Sequence, residues 1–296
     1  MQAALLPDRG VMKVAGEDAR GFLNGLLTAD TNKVAPGAPC FAALLTPQGK
    51  IIADGIVAEA PASAGGGFFL DVPRALAKSF TDKLNFYKLR AKVIAEDLSD
   101  ILGVLAAWNG VGETEYGLAY RDPRLPALGL RVMLPPHLAS QAAADLGASL
   151  VDAAEYETHR IALGVPRGGL DFSYGDAFPH ETNMDQLGGV DFTKGCYVGQ
   201  EVVSRMEHRA TARTRIVPVS YEGIAPEPGM PIMAGNKNVG TLGSTAGGRG
   251  IAMLRLDRVA DALAAGTPLT ASGATLRVLK PDWARFAVPG EAQLAQ

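Results

Sequence analysis

Residues 178–205 read FPHETNMDQLGGVDFTKGCYVGQEVVSR, and the rest of the chain is best understood from this segment. Carboxylates, an amide and a thiol lie here among glycines and a proline, so the segment is too polar and too rich in turns for an ordinary core element. It also carries large apolar side chains that a free linker would not need. The combination predicts an ordered, irregular loop that bears chemical groups, which is where binding and chemistry usually occur.

The composition is that of a globular protein. With 296 residues, 47% of them hydrophobic and 20% charged, the chain is expected to form two or three ordered substructures. A net charge of −3 gives no reason to expect a large nucleic-acid footprint, so RNA binding is not expected, although the charge leaves room for a local basic patch. Cys40 and Cys196 lie far apart with no C-x-x-C pairing, which disfavours a disulfide scaffold or a closed zinc site.

The location and assembly state are predicted from the same features. No apolar run approaches the ~20 residues of a membrane span, and the first residues lack the pattern of a signal peptide. Reduced cysteines fit a reducing compartment. We therefore expect a cytoplasmic protein without membrane contact, present as a monomer or a weak dimer.

Apolar periodicity outlines a mixed chain in its first half. Residues 11–15 predict a strand that leads into a helix near Glu17, and residues 46–50 predict a hairpin turn. The strand at residues 50–59 carries Asp54 on what looks like a buried face, where a carboxylate needs a partner or a purpose. Asp71 is predicted to end a strand and to cap the next helix. Further strands are predicted at residues 91–95, 101–107, 117–120 and 129–134, with a helix at 136–146.

The second half contains a helix followed by a β-rich module. Residues 152–155, DAAE, have the form of a capping box, which predicts a helix of about twelve residues that ends at Gly164. Tyr156 and Arg160 would share one face of this helix, and Arg160 would be an anchored charge aimed at an anion. After residue 215, short alternating runs separated by glycine and proline predict a small β-barrel or sandwich.

Several groups in the opening segment could carry chemistry. Lys194 would favour the thiolate of Cys196, although a free cysteine is often a small buried residue. Glu181 and Asp185, with Asn183 between them, could accept parallel N–H bonds from a ring edge such as that of a pterin or guanine. The same residues could instead form a cap or a turn.

Two other features carry weaker signals. Arg205, Arg209 and Arg213 would form one basic stripe if helical, suited to RNA, an acidic tail or a partner, although a solvated or ion-paired face is the ordinary alternative. The chain has no G-x-G-x-x-G, Walker A, G-x-S-x-G or H-E-x-x-H motif, and its four histidines are scattered. No metal site is therefore predicted.

Residues 194–201, KGCYVGQE, resemble the K-G-C-[YF]-x-G-Q-E signature of the YgfZ family. That family includes the bacterial folate-binding protein called a tRNA-modifying protein and its mitochondrial iron–sulfur assembly relatives. Residues 22–30 (FLNGLLTAD), 87–92 and 239–244 also fit the family pattern, so the resemblance covers nearly the whole chain. The family is similar in turn to the T-protein of the glycine cleavage system, a tetrahydrofolate-dependent aminomethyltransferase.

The T-protein resemblance implies an α+β fold with three domains in a ring around a folate channel, the last domain being a C-terminal β-barrel. The expected domains are residues 1–50 with 150–210, residues 51–149, and residues 211–296. Glu181 would pair with the pterin edge of tetrahydrofolate, or of a one-carbon derivative. Asn183 and Tyr156 would orient it, with Arg160 and Asp185 completing the folate-binding set.

The same resemblance implies two reactive residues. Cys196 would act as a thiolate at the channel mouth, and Asp54 would lie near the reduced ring nitrogens. The T-protein has an Asp-Asp pair where this chain has Ala53 and Asp54, so one carboxylate of that pair is missing.

The predicted function is a tetrahydrofolate-binding protein that supports assembly or repair of iron–sulfur clusters in client enzymes. Such clients would include a radical-SAM tRNA methylthiotransferase, and partners would be iron–sulfur client or assembly proteins. The first alternative is a true folate-dependent aminomethyltransferase or demethylase that uses Asp54. The second is an RNA- or protein-binding adaptor that uses the arginine stripe.

Overall fold

The structure is a computed structural model that describes residues 1–209 and 212–293. The α-helices are α1 (Ala19–Leu26), α2 (Arg74–Tyr87), α3 (Ala139–Asp145), α4 (Ala153–Ala162), α5 (Gln200–Arg209) and α6 (Leu256–Ala264). The strands are β1 (Gln2–Leu6), β2 (Arg9–Ala15), β3 (Cys40–Leu45), β4 (Ile51–Glu59), β5 (Phe68–Pro73), β6 (Ile94–Asp97), β7 (Gly103–Trp108), β8 (Leu118–Arg121), β9 (Leu130–Leu134), β10 (Ser149–Leu150), β11 (Thr214–Tyr221), β12 (Pro231–Ala234), β13 (Lys237–Ala246), β14 (Arg249–Arg255), β15 (Leu269–Ala271), β16 (Ala274–Lys280) and β17 (Ala292–Gln293). Within the described ranges, no helix is both long and apolar enough to cross a membrane.

The chain divides into two compact units. Unit one consists of Met1–Tyr156 and Leu187–Gln200, and unit two consists of Glu157–Gln186 and the described residues from Glu201 onward. The predicted boundary between residues 50 and 51 falls inside a hairpin, because β3 and β4 pair with each other along their length. The structure therefore does not separate the chain at that point. The division into three domains stays a prediction.

Unit one contains two five-stranded sheets. The sheet that matters for the site has the order β3-β4-β5-β2-β6 and is packed by α1 and α2. Leu23 of α1 and Phe80 and Leu84 of α2 lie in its core, as their helical spacing predicts. The second sheet has the order β10-β1-β7-β9-β8 and packs against α3. Strand β6 lies at an edge of its sheet.

A buried ionic network occupies the middle of unit one. Asp71 accepts hydrogen bonds from Arg9 at 2.6 Å and from Arg131 at 2.6 Å, and Arg131 also donates to Asp122 at 2.7 Å. Burial alone would raise the pKa of Asp71, but Arg9 and Arg131 outweigh it and hold that pKa below its ordinary value. The predicted helix-capping role of Asp71 is wrong, because β5 runs on to Pro73 and carries this carboxylate into the interior.

Unit two is built on a closed barrel. Strands β11, β14, β13, β12, β15 and β16 pair in that order, and β16 pairs back to β11. Four of these strands were expected from alternating runs. The short strands β12 and β15 and the helix α6 were not, because they offer too few residues for a clear periodicity. The core is filled by inward-facing aliphatic side chains of the strands and of α6.

Helix α4 begins as the capping pattern predicts. Asp152 Oδ1 accepts a hydrogen bond from the backbone N–H of Ala154 at 2.9 Å. The helix ends at Ala162, two residues before Gly164, whose φ of 72° is left-handed. Glycine adopts this conformation without strain, so it ends the helix where the sequence indicated.

Candidate functional site

Lys194 anchors residues 191–199, which we call the Cys196 loop. Its ammonium group donates to the backbone carbonyls of Asn24, Leu27 and Ala29 at 2.7, 2.7 and 2.9 Å. These acceptors lie at and just beyond the end of α1, where a helix leaves carbonyls without intrahelical partners and favours a positive charge. All three donors of the ammonium group are used.

This geometry gives Lys194 a different role from the predicted one. The sequence indicated that Lys194 would favour the thiolate of Cys196. With its three N–H bonds committed to carbonyls, the ammonium group has no donor left for the sulfur. Burial also lowers the pKa of Lys194 below its ordinary value. Lys194 therefore acts as an anchor for the loop.

Further contacts fix the Cys196 loop at both ends. Asp191 forms an ion pair with Lys33, and the ring of Tyr197 is buried. Gly199 has φ +81°, and a Cβ at this position would lie 2.6 Å from the carbonyl oxygen of Thr46. Only glycine fits such a close backbone approach with a left-handed conformation. The second glycine of the signature is thus explained by packing.

The two cysteines differ in access. Cys196 is exposed, whereas Cys40 is half-buried at the start of β3. Burial raises the pKa of the Cys40 thiol to about 12, so it stays protonated at neutral pH. Cys196 is therefore the thiol that a metal or another chain can reach. A fixed loop with one accessible thiol can supply one ligand to a metal centre.

In unit two, residues 178–186 form a succession of turns. Asn183 is fully buried with a left-handed φ of 61°, and its Nδ2 donates to the carbonyl of Ile216 at 2.7 Å. Glu181 Oε2 accepts the backbone N–H of Phe178 at 2.9 Å. These contacts are the turn-forming ones that the sequence offered as the alternative to ligand binding.

Two acceptor atoms of this segment are nevertheless left for a ligand. Glu181 is half-buried, and only its Oε2 is engaged by a described residue. Asn183 Oδ1 is buried and has no hydrogen-bond partner in the part of the chain that the structure describes. Leaving a buried acceptor unpaired costs about 1–3 kcal/mol. A carboxylate oxygen and an amide oxygen fit the N–H groups of a pterin edge, so Glu181 and Asn183 fit a folate.

Arg160 does not fit that role. It is only 2% exposed, and its guanidinium donates to Glu157, to the carbonyl of Val165, to Asp171 and to Ser244. All five N–H donors of the guanidinium are engaged by these contacts. The prediction of an anchored charge is confirmed, and these contacts leave no N–H group of Arg160 in support of its predicted aim at a ligand anion. Arg160 ties α4 to Asp171 and to strand β13.

Tyr156 is also occupied. Its ring is buried in unit one, with the ring centroid 5.4 Å from that of Trp108 in an edge-on arrangement. Its hydroxyl accepts a hydrogen bond from Arg131 at 3.1 Å. Because stacking on a pterin needs an open ring face, the buried ring gives the predicted pterin contact of Tyr156 no support.

Asp185 belongs to a polar cluster of unit two. Its Oδ1 accepts from Arg215 at 2.6 Å, and His180 Nε2 lies 2.9 Å from Glu207 Oε2. His180, Asp185 and Glu207 hold possible ligand atoms within 4.8 Å of one another. The guanidinium of Arg215 already neutralises Asp185, so the cluster is better explained as ion pairs that hold α5 and β11 to the turn segment. The pairing gives Asp185 a structural partner, and its predicted folate contact stays a prediction.

Asp54 lies in the middle of β4, opposite Ala43 of β3. It is half-buried, like Ile52 on the same face, while Ala53 on the other face is fully buried; from Gly55 to Ala58 both faces of the strand are buried. Asp54 is not without a partner, in keeping with the need of a polar residue at this position for a contact. Its proximity to a folate ring stays a prediction.

The basic stripe is only partly described. Arg205 forms an ion pair with Glu201 at 2.6 Å on the exposed side of α5. An ion-paired face is the alternative to a binding site that the sequence analysis gives for these arginines. The side chain of Arg209 and residues 210–211 lie outside the described residues.

Two features of unit one were missed by sequence reasoning. Asp71 and Arg131 each stand within an apolar strand, and two opposite charges in buried strands are a signal that they pair. Lys194 gives no such signal, because its acceptors are backbone carbonyls 165 to 170 positions earlier in the chain. Main-chain acceptors carry no residue type that a pattern could reveal.

The fold of the chain is shared with a known class of proteins. The fold is similar to that of glycine cleavage system aminomethyltransferase T from Bartonella henselae, with a TM-score of 0.75 at 16% identity, over 96% of this chain and 86% of that one. Residues 213–286 match the family described as CAF17, C-terminal beta-barrel domain. The protein thus has an aminomethyltransferase T fold with a CAF17-type barrel, which confirms the predicted α+β fold and C-terminal barrel.

Sequence relatives then give the family. The iron–sulfur cluster assembly factor IBA57 of Mus musculus and that of Homo sapiens are each 30% identical, over 94% of this chain and 84% of their own length. The IBA57 homolog of Mycosarcoma maydis is 37% identical over 74% of this chain, and the match spans only 57% of that longer protein. The chain belongs to the IBA57 family. The YgfZ family is a related member of the same group and not the same family.

The relatives also correct one prediction. All three are named as mitochondrial proteins. They point to mitochondria, which contradicts the cytoplasmic location expected from the reduced cysteines. Cysteine usage distinguishes reducing from oxidising compartments, and it cannot separate one reducing compartment from another.

Proposed function

We propose that this chain is an iron–sulfur cluster assembly factor in which Cys196 supplies one ligand to a cluster that a second chain completes. The observation that carries the proposal is an exposed thiol on a loop held by the Lys194 anchor and by the close packing of Gly199. The names of the IBA57 relatives support the assembly role.

Ligand exchange suits a single accessible thiol. The Cys196 thiol gives its proton to solvent, and its sulfur donates an electron pair to iron as another iron ligand leaves, so no electron is transferred. Iron–sulfur clusters are ordinarily held by four protein ligands. Because Cys40 remains a half-buried thiol, a cluster bound through Cys196 must take its other ligands from elsewhere. This makes the bound state transient and suited to transfer.

A reduced folate is the second part of the proposal. The half-buried carboxylate of Glu181 and the unpaired Oδ1 of Asn183 support binding of a pterin edge, and the similarity to the aminomethyltransferase T fold agrees with this. A bound tetrahydrofolate would supply a nucleophilic reduced-ring nitrogen. Glu181 would orient the ring, backed by Asn183. Arg160, Tyr156 and Asp185 have no part in this version of the site.

The test of the assembly role compares the two cysteines in cells. We expect that Cys196→Ala lowers the activity of a cluster-dependent tRNA-modifying enzyme at least tenfold, while Cys40→Ala leaves it near wild type. The enzyme product in bulk tRNA is measured under oxidative stress. Unchanged tRNA modification with Cys196→Ala would reject the model. Aminomethyl turnover that is lost in Asp54→Asn and kept in Cys196→Ala would favour the transferase alternative.

The test of the folate site is calorimetry with tetrahydrofolate. Loss of a charge-assisted hydrogen bond costs about 1.5–3 kcal/mol, so we expect Glu181→Ala to weaken binding roughly 10- to 100-fold. The matched control is Glu222→Ala, at an exposed glutamate of the same unit. Equal affinity of wild type and Glu181→Ala would reject Glu181 as the pterin partner.

A further inference from the structure

The last turn of α2 and the connection from α2 to β6 carry apolar and basic side chains close together in the sequence. Phe86, Leu89 and Ile94 are 76%, 88% and 61% exposed. Lys88, which is half-buried, and Arg90, which is exposed, lie between them in the sequence and form no ion pair with any residue that the structure describes. We call these five residues the basic–apolar patch. Large apolar side chains in one short exposed segment mark an interaction site more often than isolated ones do.

Leu89 is not explained by the fold. Its φ of 46° is left-handed, a conformation that costs a non-glycine residue about 1–2 kcal/mol. Its side chain is 88% exposed, so burial returns little of that free energy. Glycine would relieve the strain at this position. Neither the backbone conformation nor packing within the chain therefore accounts for a leucine at position 89. An interaction of its side chain with another molecule would account for it.

The patch is suited to side-chain docking. The opposite face of α2, which includes Phe80 and Leu84, is already packed in the core of unit one. Strand β6 lies at the edge of its sheet, but Asn85 Nδ2 donates to the carbonyl of Ala95 at 2.9 Å. This bond occupies an acceptor that an added strand would use. A partner would therefore contact the exposed side chains and would not extend the sheet.

Helix α1 links the patch to the Cys196 loop. The backbone N–H of Lys92 donates to Asp18, at the start of α1, while Lys194 is anchored at its far end. An eight-residue helix is about 12 Å long. Cys196 is two residues beyond Lys194, which adds at most about 7 Å, and Leu89 is three residues before Lys92, which adds at most about 11 Å. A standard protein interface covers about 800 Å² on each partner, or roughly 30 Å across. One partner can thus span both.

We propose that the basic–apolar patch docks an acidic protein with apolar side chains on its surface, and that this protein is the chain that completes the cluster ligand set with Cys196. The identity of the partner rests on the function proposed above. Lys88 and Arg90 supply positive charge that its carboxylates would neutralise. Phe86, Leu89 and Ile94 supply the apolar anchors that dominate protein interfaces.

The same features argue against other occupants. Nucleic-acid sites bring many cations to one face, and the whole chain carries a net charge of −3. A membrane-bound helix lies with its own apolar face in the lipid, whereas the apolar face of α2 is buried in the protein. RNA and lipid are nevertheless distinguishable outcomes of the test.

The test is site-specific photocrosslinking of the full chain in cells. Benzoylphenylalanine replaces Leu89 or, as the control, Val111, which is 78% exposed in the same unit. We expect a discrete adduct with one acidic protein at position 89, at least five times more abundant than at 111. Combined Lys88→Glu and Arg90→Glu should reduce it at least fivefold, and Lys78→Glu, at an exposed lysine of α2, should not.

Five outcomes of these experiments test the inference. Equal adducts at positions 89 and 111, an adduct with RNA or lipid, or an adduct that survives the double charge reversal each overturns the inference. If Cys196→Ser inactivates cluster-dependent enzymes while position 89 gives no adduct above the control, the function proposed above stands and only the docking site fails. If the adduct forms and Cys196→Ser leaves the activity of cluster-dependent enzymes unchanged, the function proposed above is rejected. The identity assigned here to the partner is then rejected as well.

A second variant separates docking from folding. Leu89→Gly removes the apolar side chain and relieves the left-handed strain, so the melting temperature should stay the same or rise. We expect this stable variant to lower the activity of cluster-dependent enzymes at least threefold. Wild-type activity in a folded Leu89→Gly protein would contradict the inference.

Discussion

At the residue scale, exposure and burial give two identical thiols different chemistry. The Cys196 thiol is presented to solvent by a fixed loop, whereas the Cys40 thiol is held at the start of β3 with a pKa of about 12. The thiolate is the form that attacks a disulfide or binds iron. Burial of Cys40 thus restricts the chemistry of the folded chain to one sulfur.

This difference predicts the reactivity of the folded protein. A pKa of about 12 leaves about one Cys40 in ten thousand ionised at pH 8. Ellman's reagent at pH 8 should therefore titrate one thiol rapidly in the folded chain and two in guanidinium chloride. Cys196→Ser should abolish the rapid phase. Two rapid thiols in the native protein would show that Cys40 is not protected.

At the scale of elements, α1 and the turn between β3 and β4 hold the Cys196 loop from two sides. The carbonyls at the end of α1 bind the ammonium of Lys194, and the backbone at Thr46 packs against Gly199. Both contacts use main-chain atoms of ordered elements. The position of the thiol is therefore set by the sheet and helix of unit one.

The two glycines of the signature should respond differently to substitution. Gly199→Ala places a Cβ 2.6 Å from a carbonyl oxygen in a left-handed backbone, so we expect a loss of roughly 2–3 kcal/mol in the free energy of unfolding. Gly195 has open space at the same position, so Gly195→Ala should change stability by less than about 0.5 kcal/mol. Urea denaturation measures both. Equal effects would contradict the packing explanation.

At the scale of the whole molecule, each unit contains its own buried ion pairs. Unit one has the network of Asp71, Arg131 and Asp122, and unit two has the pair of Arg160 and Asp171. A buried ion pair adds little stability over an apolar replacement, but the loss of one partner leaves an uncompensated charge. These charges therefore make each unit sensitive to single substitutions.

Asp71→Asn should destabilise unit one by about 3–5 kcal/mol, because it leaves Arg9 and Arg131 buried beside a neutral amide. Trp108, which is buried in unit one, reports the unfolding in urea when Trp283 is replaced by phenylalanine. The control is Asp82→Asn on the exposed face of α2, which should leave the urea unfolding transition unchanged. A wild-type midpoint for Asp71→Asn would contradict this account.

The same network sets the response to acid. The pKa values of Asp71 and Asp122 are held below the ordinary value of 3.8, because their arginine partners outweigh the effect of burial. Carboxylates with lowered pKa values contribute stability above about pH 4, and that stability is lost as the pH falls towards the lowered values. The urea concentration at the midpoint of unfolding of unit one should therefore decrease as the pH is lowered below 4. The decrease should be less steep in Asp71→Asn.

Much of the fold followed from local patterns. The capping pattern at Asp152 and the glycine at 164 bounded α4, and apolar periodicity placed α1 and most strands to within a few residues. The family signature directed attention to Cys196, which the structure exposes. These features depend on residues close in the sequence, so a local pattern contains the information.

The contacts of the candidate site residues did not follow from local patterns, because they depend on distant neighbours. Arg160 and Tyr156 share a helix face with spacing suited to a ligand, yet Asp171, Ser244 and Arg131 already occupy their polar groups. Asp71 had the form of a helix cap and is instead the centre of a buried network. In each case the side chain is typical of a binding residue, and only its partners decide the role.

By itself, the sequence determined the α+β character, the barrel and the thiol to examine, since periodicity, turn residues and a short signature are properties of neighbouring positions. The tertiary structure decided that Lys194 anchors the thiol loop and that Glu181, not Arg160 or Tyr156, keeps an atom for a ligand. The physical reason is that a polar group has a fixed number of hydrogen bonds to make. Whether any remain for a ligand depends on contacts that only the folded chain creates.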